Sequence, residues 1–295
     1  MACIANDAVD EDGGGVMKTM GVCAIALFSF ISLISGALAD GRQDFDAGDT
    51  AYDSGDLSLA IVHYTRAIKS GELTTRNLAA AYNNRANAND DRGEHEAALK
   101  DYDKSLGIDP HSPNALYNRA QCLMNLERHK EAVQDLNHAL TIDADWAEAF
   151  HKRGAAHLQL GQMNAAISDY TEALRRQAGR LSAYLDRGRA FAQKGQFRRA
   201  ILDMNVALLM DVDNAAALNS RCFYKAKTGL FLDALHDCKK SLALDPDNAH
   251  TVHSLAFVYE GLGQTQHAID EYQRALDIDP DLLAAKADLT RLGVL

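Results

Sequence analysis

A pattern of side-chain sizes returns every 34 residues along most of this chain, and it restricts the possible folds more tightly than anything else in the sequence. One small residue recurs as Ala86, Ala120, Gly154, Gly188, Cys222 and Ala256. Twelve positions after each comes an alanine: Ala98, Ala132, Ala166, Ala200, Ala234 and Ala268. Within 147–180 the order reads as two helices. Gly154 lies midway along the first, Gly161 makes a turn, and Ala166, Tyr170 and Ala173 punctuate the second. Six copies stay in register from Ala79 to Leu282 without an insertion. Small residues let two helices approach closely, and a lone hairpin cannot bury its apolar face without a neighbour, so such a period predicts a stacked array rather than one closed core.

These slots, together with the closing pairs Asp109-Pro110, Asp245-Pro246 and Asp279-Pro280, resemble the tetratricopeptide repeat family over roughly four-fifths of the chain. The resemblance implies an all-α, right-handed α-solenoid of seven stacked helix-turn-helix units with a C-terminal capping helix. The units are 41–74, 79–112, 113–146, 147–180, 181–214, 215–248 and 249–282, with the cap at 283–295. All four prolines fall between repeats, where a missing N–H donor does no harm, and Gly93, Gly161, Gly195, Gly229 and Gly263 fall at the turns within them. The first unit is degenerate. It keeps Gly48, Gly55, Ala60, Tyr64 and Ala67, but Arg42, Asp44, Asp46 and Asp49 make its first helix polar, as a terminal repeat requires. It stands 38 residues before the next copy, with the surplus expected between Ser70 and Asn77. At the other end Leu283, Leu289 and Leu292 are expected to cover the last repeat, with Lys286, Asp288 and Arg291 facing water.

Residues 1–16 are acidic and glycine-rich and read as an over-extended, disordered start. From Met17 the text changes: Lys18, an apolar run from Val22 to Ile34, and Ala37-Leu38-Ala39 before Asp40 make 17–39 a secretory signal peptide. The competing reading is an uncleaved anchor, since Met20 to Ala39 is twenty uncharged residues. The first predicts a periplasmic or secreted protein, the second an inner-membrane anchored one facing the periplasm. Net charge is −11, and residues 40–295 keep 29 basic against 37 acidic residues. Phosphate binding needs a basic footprint, so nucleic acid is not an expected partner, and membrane only if 17–39 is retained.

One slot departs from the commoner form of the family, which carries leucine just before the mid-helix small residue. Here it holds Arg85, Arg119, Arg153, Arg187 and Arg221, and sixteen residues after each comes Asp101, Asp135, Asp169, Asp203 or Asp237. The last repeat has Leu255 and Glu271 instead. A guanidinium–carboxylate pair tolerates partial burial where lysine pairs less well, so the slots predict a structural ladder along the stack. A binding stripe is the alternative.

In this family the first helices line a concave groove, and resemblance places ligands there. The expected partner-binding residues are Asn83, Asn87, Tyr117, Gln121 and His151 in the first half. Arg189, Asn219, Phe223, His253 and Phe257 continue the surface in the second. Asn114, Asn125, Glu148, Gln159, Lys227 and His250 share this face. Amides, aromatics and charges of both signs suit a protein or peptide segment. The subgroup that grips a C-terminal carboxylate needs a lysine where Glu148 stands, so that clamp is not expected.

Other chemistry is thin. Cys222 and Cys238 lie on the two helices of one repeat, open either to a disulfide or to a role as small buried residues, and Cys122 would stay free. His250 and His253 stand one helical turn apart without a third ligand, so no metal and no cofactor is expected. Phosphate loops and nucleophile elbows are absent. The expectation is a non-catalytic protein–protein interaction scaffold of the bacterial cell envelope. The alternatives are an enzyme or small-ligand receptor using the groove as a pocket, or a membrane-tethered structural subunit.

Overall fold

A computed structural model describes residues 40–295 and places them in fifteen α-helices, with no strand among the described residues. Segments 1–16 and 17–39 lie outside the described residues. The hairpins are α1 (Gly41–Asp53) with α2 (Leu57–Ser70), α3 (Thr75–Asp91) with α4 (His95–Ile108), and α5 (Pro113–Asn125) with α6 (His129–Ile142). Then come α7 (Ala147–Gln159) with α8 (Met163–Arg176), α9 (Leu181–Gln193) with α10 (Phe197–Met210), α11 (Ala215–Lys227) with α12 (Phe231–Leu244), and α13 (Ala249–Gly261) with α14 (Thr265–Ile278). A short α15 (Leu283–Arg291) closes the stack. No helix among the described residues is long and apolar enough to cross a membrane.

Local chemistry sets the helix ends. Thr74, Ser112, Asn214 and Asn248 cap helices by accepting from the backbone N–H three residues on. Each hairpin turn passes through one residue at positive φ, such as Gly161 at +70°. In the third repeat that slot holds Glu127, at φ +58°, which costs about 1–2 kcal/mol relative to glycine. The 38-residue step after the first repeat is accommodated by one additional N-terminal turn on α3, which starts at Thr75 rather than at Ala79.

The recurring small residue is needed because the second helix packs an aromatic or large side chain onto it. A Cβ on Gly154 would meet the Tyr170 ring at 2.9 Å, and Tyr170 is fully buried. In the sixth repeat those two slots are Cys222 and Cys238, joined as a disulfide with their Cα atoms 5.4 Å apart. Cys122 is free and buried.

From α1 to α13, each first helix touches the first helix of the next repeat, while successive second helices make no comparable contact. A stack with one crowded layer curves toward that layer. The first helices therefore line the inside of the solenoid.

Both caps differ from expectation in where particular side chains go. At the N-terminus Asp44 is buried against His63 (2.9 Å), and Asp49 accepts from Tyr64 Oη (2.8 Å) and from Asn84 (3.0 Å), so these acids brace the first hairpin instead of facing water. At the C-terminus Leu289 is fully buried and Leu292 packs beside it, but Leu283 is 77% exposed. The buried stripe runs Leu282, Ala285, Leu289, Leu292 at alternating steps of three and four, which leaves Leu283 on the opposite side. Lys286 and Arg291 are exposed as expected, although Arg291 also clamps Glu260 with two bonds of 2.6 and 2.7 Å; Asp288 is half-buried instead, where it meets His253.

Candidate functional site

Five arginines face the five aspartates sixteen residues on, each through two parallel bonds from Nε and Nη2. The distances run from 2.6 to 2.9 Å: Arg85–Asp101, Arg119–Asp135, Arg153–Asp169, Arg187–Asp203 and Arg221–Asp237. Both carboxylate oxygens are thus engaged, and the five aspartates are buried. The remaining Nη1 reaches back to the second helix of the preceding repeat, onto Thr65, Asp103, Asn137, Thr171 or Asn205. Each rung therefore ties one hairpin together and fastens it to the hairpin before. Burial pushes the Asp237 carboxyl up, but Arg221 and Lys225 (2.7 Å) more than offset it and hold it below the usual carboxylate range. In the seventh repeat Leu255 is buried and Glu271 meets Arg274 instead.

On the inner layer the ten expected groove residues divide. In the first half most are engaged internally. Asn83 accepts from Asn118 (3.3 Å), Asn87 accepts from Tyr102 Oη (2.7 Å), and the Tyr117 ring lies 4.7 Å from that of Trp146. His151 Nε2 is 3.0 Å from Asp186, and only Gln121 is exposed without a bond. In the second half His253 Nε2 meets Asp288 at 2.9 Å rather than joining His250. The same rule lies behind these pairs: Asn83–Asn118, His151–Asp186 and His253–Asp288 are each 35 residues apart, one repeat plus one position. Where first helices lean on each other, this slot is spent on bridging them. Glu148 likewise pairs with Arg180 (2.8 Å).

Of the rest of the second half, Arg189, Asn219 and Phe223 line one pocket, and Phe257 stands beside it against Phe223. A cavity of about 540 Å³ is lined by Arg189, Asn219, Phe223, Lys227, His250 and His253, with Phe197 and Tyr224 in its wall. Phe223 and Phe257 approach with ring centroids 6.1 Å apart, and Lys227 Nζ stands over both, 5.1 and 4.2 Å from the centroids. Lys227 forms no ion pair among the described residues. Asn219 should have bridged to Ser254 by the 35-residue rule, but Ser254 Oγ donates to its own helix at His250 O (2.9 Å). The Asn219 Oδ1 is buried without a partner among the described residues. A pocket with an aromatic floor, an uncommitted ammonium and an orphaned acceptor can take an apolar side chain, a carboxylate and an N–H donor together.

Comparison with known proteins agrees with this architecture. The tetratricopeptide repeat family matches residues 151–218 and 249–282, and a family described as ETO1 C-terminal domain matches 55–179. Sperm-associated antigen 1 of Mus musculus is 41% identical over 73 residues, a match spanning 25% of this chain and 8% of that protein. A tetratricopeptide repeat protein from Parabacteroides merdae superposes with TM-score 0.64 at 18% identity, covering 85% of this chain and 98% of the other. YrrB, described as a TPR protein with an unusual peptide-binding site, gives TM-score 0.55 at 18% identity over 64% of this chain and 97% of its own. Hairpins in register, small residues at every close approach and the direct matches lead to one assignment: the chain is built of tetratricopeptide repeats, whose α-solenoid is an interaction fold.

Proposed function

We infer that this protein is a non-catalytic scaffold that receives an extended partner segment on its inner surface, with the pocket between α9, α11 and α13 as the anchoring point. The observation that carries this reading is Lys227 poised over the Phe223–Phe257 pair without a carboxylate of its own. The fitting ligand places an apolar side chain on the rings and an acidic group beside Lys227 and Arg189. A backbone N–H then supplies Asn219 Oδ1. The peptide-binding description of YrrB supports the ligand class by analogy of fold only.

A displayed-peptide selection on the immobilised protein tests this. Enriched peptides should pair an aromatic or branched apolar residue with a nearby acid. Phe223→Ala and Lys227→Glu should each weaken them at least tenfold, about 1.4 kcal/mol, with the fold intact by circular dichroism. Enriched peptides without an acid, or binding indifferent to both substitutions, would move the site elsewhere. A compact metabolite competing in the pocket would instead favour a small-ligand receptor.

The cell envelope is the proposed location. Supporting it are the leader-like text of 17–39 and the Cys222–Cys238 disulfide, a bond that persists in oxidising compartments. N-terminal sequencing of the native protein should find Asp40 first; Met17 or Met1 would mean a retained anchor or no export.

A further inference from the structure

At the junction of the second and third repeats, three residues of metal-ligating type come together, a combination that no other junction of the array holds. Asp90 lies in the last turn of α3, His95 begins α4, and Cys122 lies on α5 of the next repeat. At the four following junctions the equivalent slots hold Met124, His129 and Ala156; Leu158, Met163 and Ala190; Ala192, Phe197 and Tyr224; and Ala226, Phe231 and Val258. Eleven of those twelve are apolar or aromatic, so the slots mostly form a hydrophobic seam; only the histidine recurs, as His129. Here the polar groups turn to one another instead, with Asp90 on the His95 ring and Cys122 Sγ 3.2 Å from His95 O.

They also meet in space. One ligand atom from each, a carboxylate oxygen, an imidazole nitrogen and Sγ, lie within 4.8 Å of one another, with Asp90 Oδ1 2.6 Å from His95 Nδ1. Cys122 is fully buried and the Asp90 side chain nearly so, while the His95 side chain is 28% exposed, leaving the cluster open to solvent on one edge. We propose that Asp90, His95 and Cys122 form a binding site for a divalent transition-metal ion of the zinc class.

The chemistry suits that ion. Zinc takes thiolate, imidazole and carboxylate at about 2.0–2.3 Å in tetrahedral geometry, so the three atoms need only close around a common centre, with the Asp90–His95 bond opening to admit it. A thiolate and a carboxylate balance the charge of the dication, and the fourth position falls on the solvent-facing edge. Calcium and magnesium prefer all-oxygen shells and are excluded by the sulfur and nitrogen. The site would also clip two adjacent repeats together, since its ligands come from both.

Cobalt(II) titration of the untagged full chain, with the disulfide intact and no reductant, decides the question. One equivalent should bind with a thiolate-to-cobalt charge-transfer band and be displaced by zinc(II). Three variants borrow residues that the same slots carry in other repeats, so the seam should accept them. Cys122→Ala should abolish the band, and Asp90→Ala and His95→Phe should each weaken binding by roughly tenfold or more. The proposal fails if the wild-type chain shows no band, if the band survives Cys122→Ala, or if both other variants bind as tightly as the wild type. Because the wild-type titration alone can refute it, a variant that misfolds does not shelter the idea.

Discussion

Replacing Arg153 with alanine should lower stability by about 3–5 kcal/mol, the cost of leaving a buried carboxylate unpaired. Asp169 is only 4% exposed and receives both of its strong bonds from that guanidinium. His157 Nε2, 3.6 Å away, is the nearest group left to offset the charge, at a distance too long for a good hydrogen bond. The effect should reach beyond one hairpin, because Arg153 Nη1 also holds Asn137 of the preceding repeat at 2.8 Å. In a stack whose cooperativity rests on nearest-neighbour interfaces, loosening that junction should raise amide exchange in α6 as well as in α7 and α8. The double substitution Arg153→Ala/Asp169→Ala strands no charge and should cost clearly less than the single one. Chemical denaturation of the three proteins measures both differences. A single variant as stable as the wild type would remove the ladder from the account of stability.

Cutting the Cys222–Cys238 link should cost about 3 kcal/mol, from the chain entropy returned to an unfolded loop whose ends lie sixteen residues apart. Reduction, or the pair Cys222→Ser/Cys238→Ser, should lower the melting temperature and concentrate the loss in α11 and α12. The array itself supplies a repair. Ala86 with Tyr102, and Ala256 with Tyr272, fill the same two slots without a covalent link, all of them fully or almost fully buried. Cys222→Ala/Cys238→Tyr should therefore recover much of the loss and become insensitive to reductant. Mass-spectrometric mapping of the linked peptides in the native protein checks the premise.

The hairpins and the within-repeat pairs were legible in the sequence for one reason: a fixed period makes every offset a distance. Arg and Asp sixteen apart must face each other once Gly161 and its counterparts turn the chain. Contacts between repeats were harder to read. Thr65, Asp103, Asn137, Thr171 and Asn205 recur as small polar acceptors two positions after each second-helix pairing slot, yet nothing within one hairpin says that an arginine of the next will reach them. The same blindness affected the groove. His151 and His253 looked free on their own helices, and only the lean of one first helix on the next brings Asp186 and Asp288 to them. The 35-residue offset is present in the sequence, but it shows only between neighbouring first helices and not within any one of them. Asn219 stands out for the opposite reason, because its expected bridge is missing. The Asp90, His95 and Cys122 cluster escaped because its members are scattered over 33 positions and two repeats. At the C-terminus, Leu283 was misplaced by reading apolar residues without their angular spacing.

Site-specific photo-crosslinking in the native cells tests the central claim, that a partner segment lies against the inner layer at the Phe223–Phe257–Lys227 pocket. A photoreactive residue at His250, on the pocket rim, should capture a discrete partner, and that adduct should vanish when Phe223→Ala is added. The same probe at Leu209, 85% exposed on a second helix, should capture nothing. Adducts from Leu209 alone, or a His250 adduct indifferent to Phe223→Ala, would contradict the account.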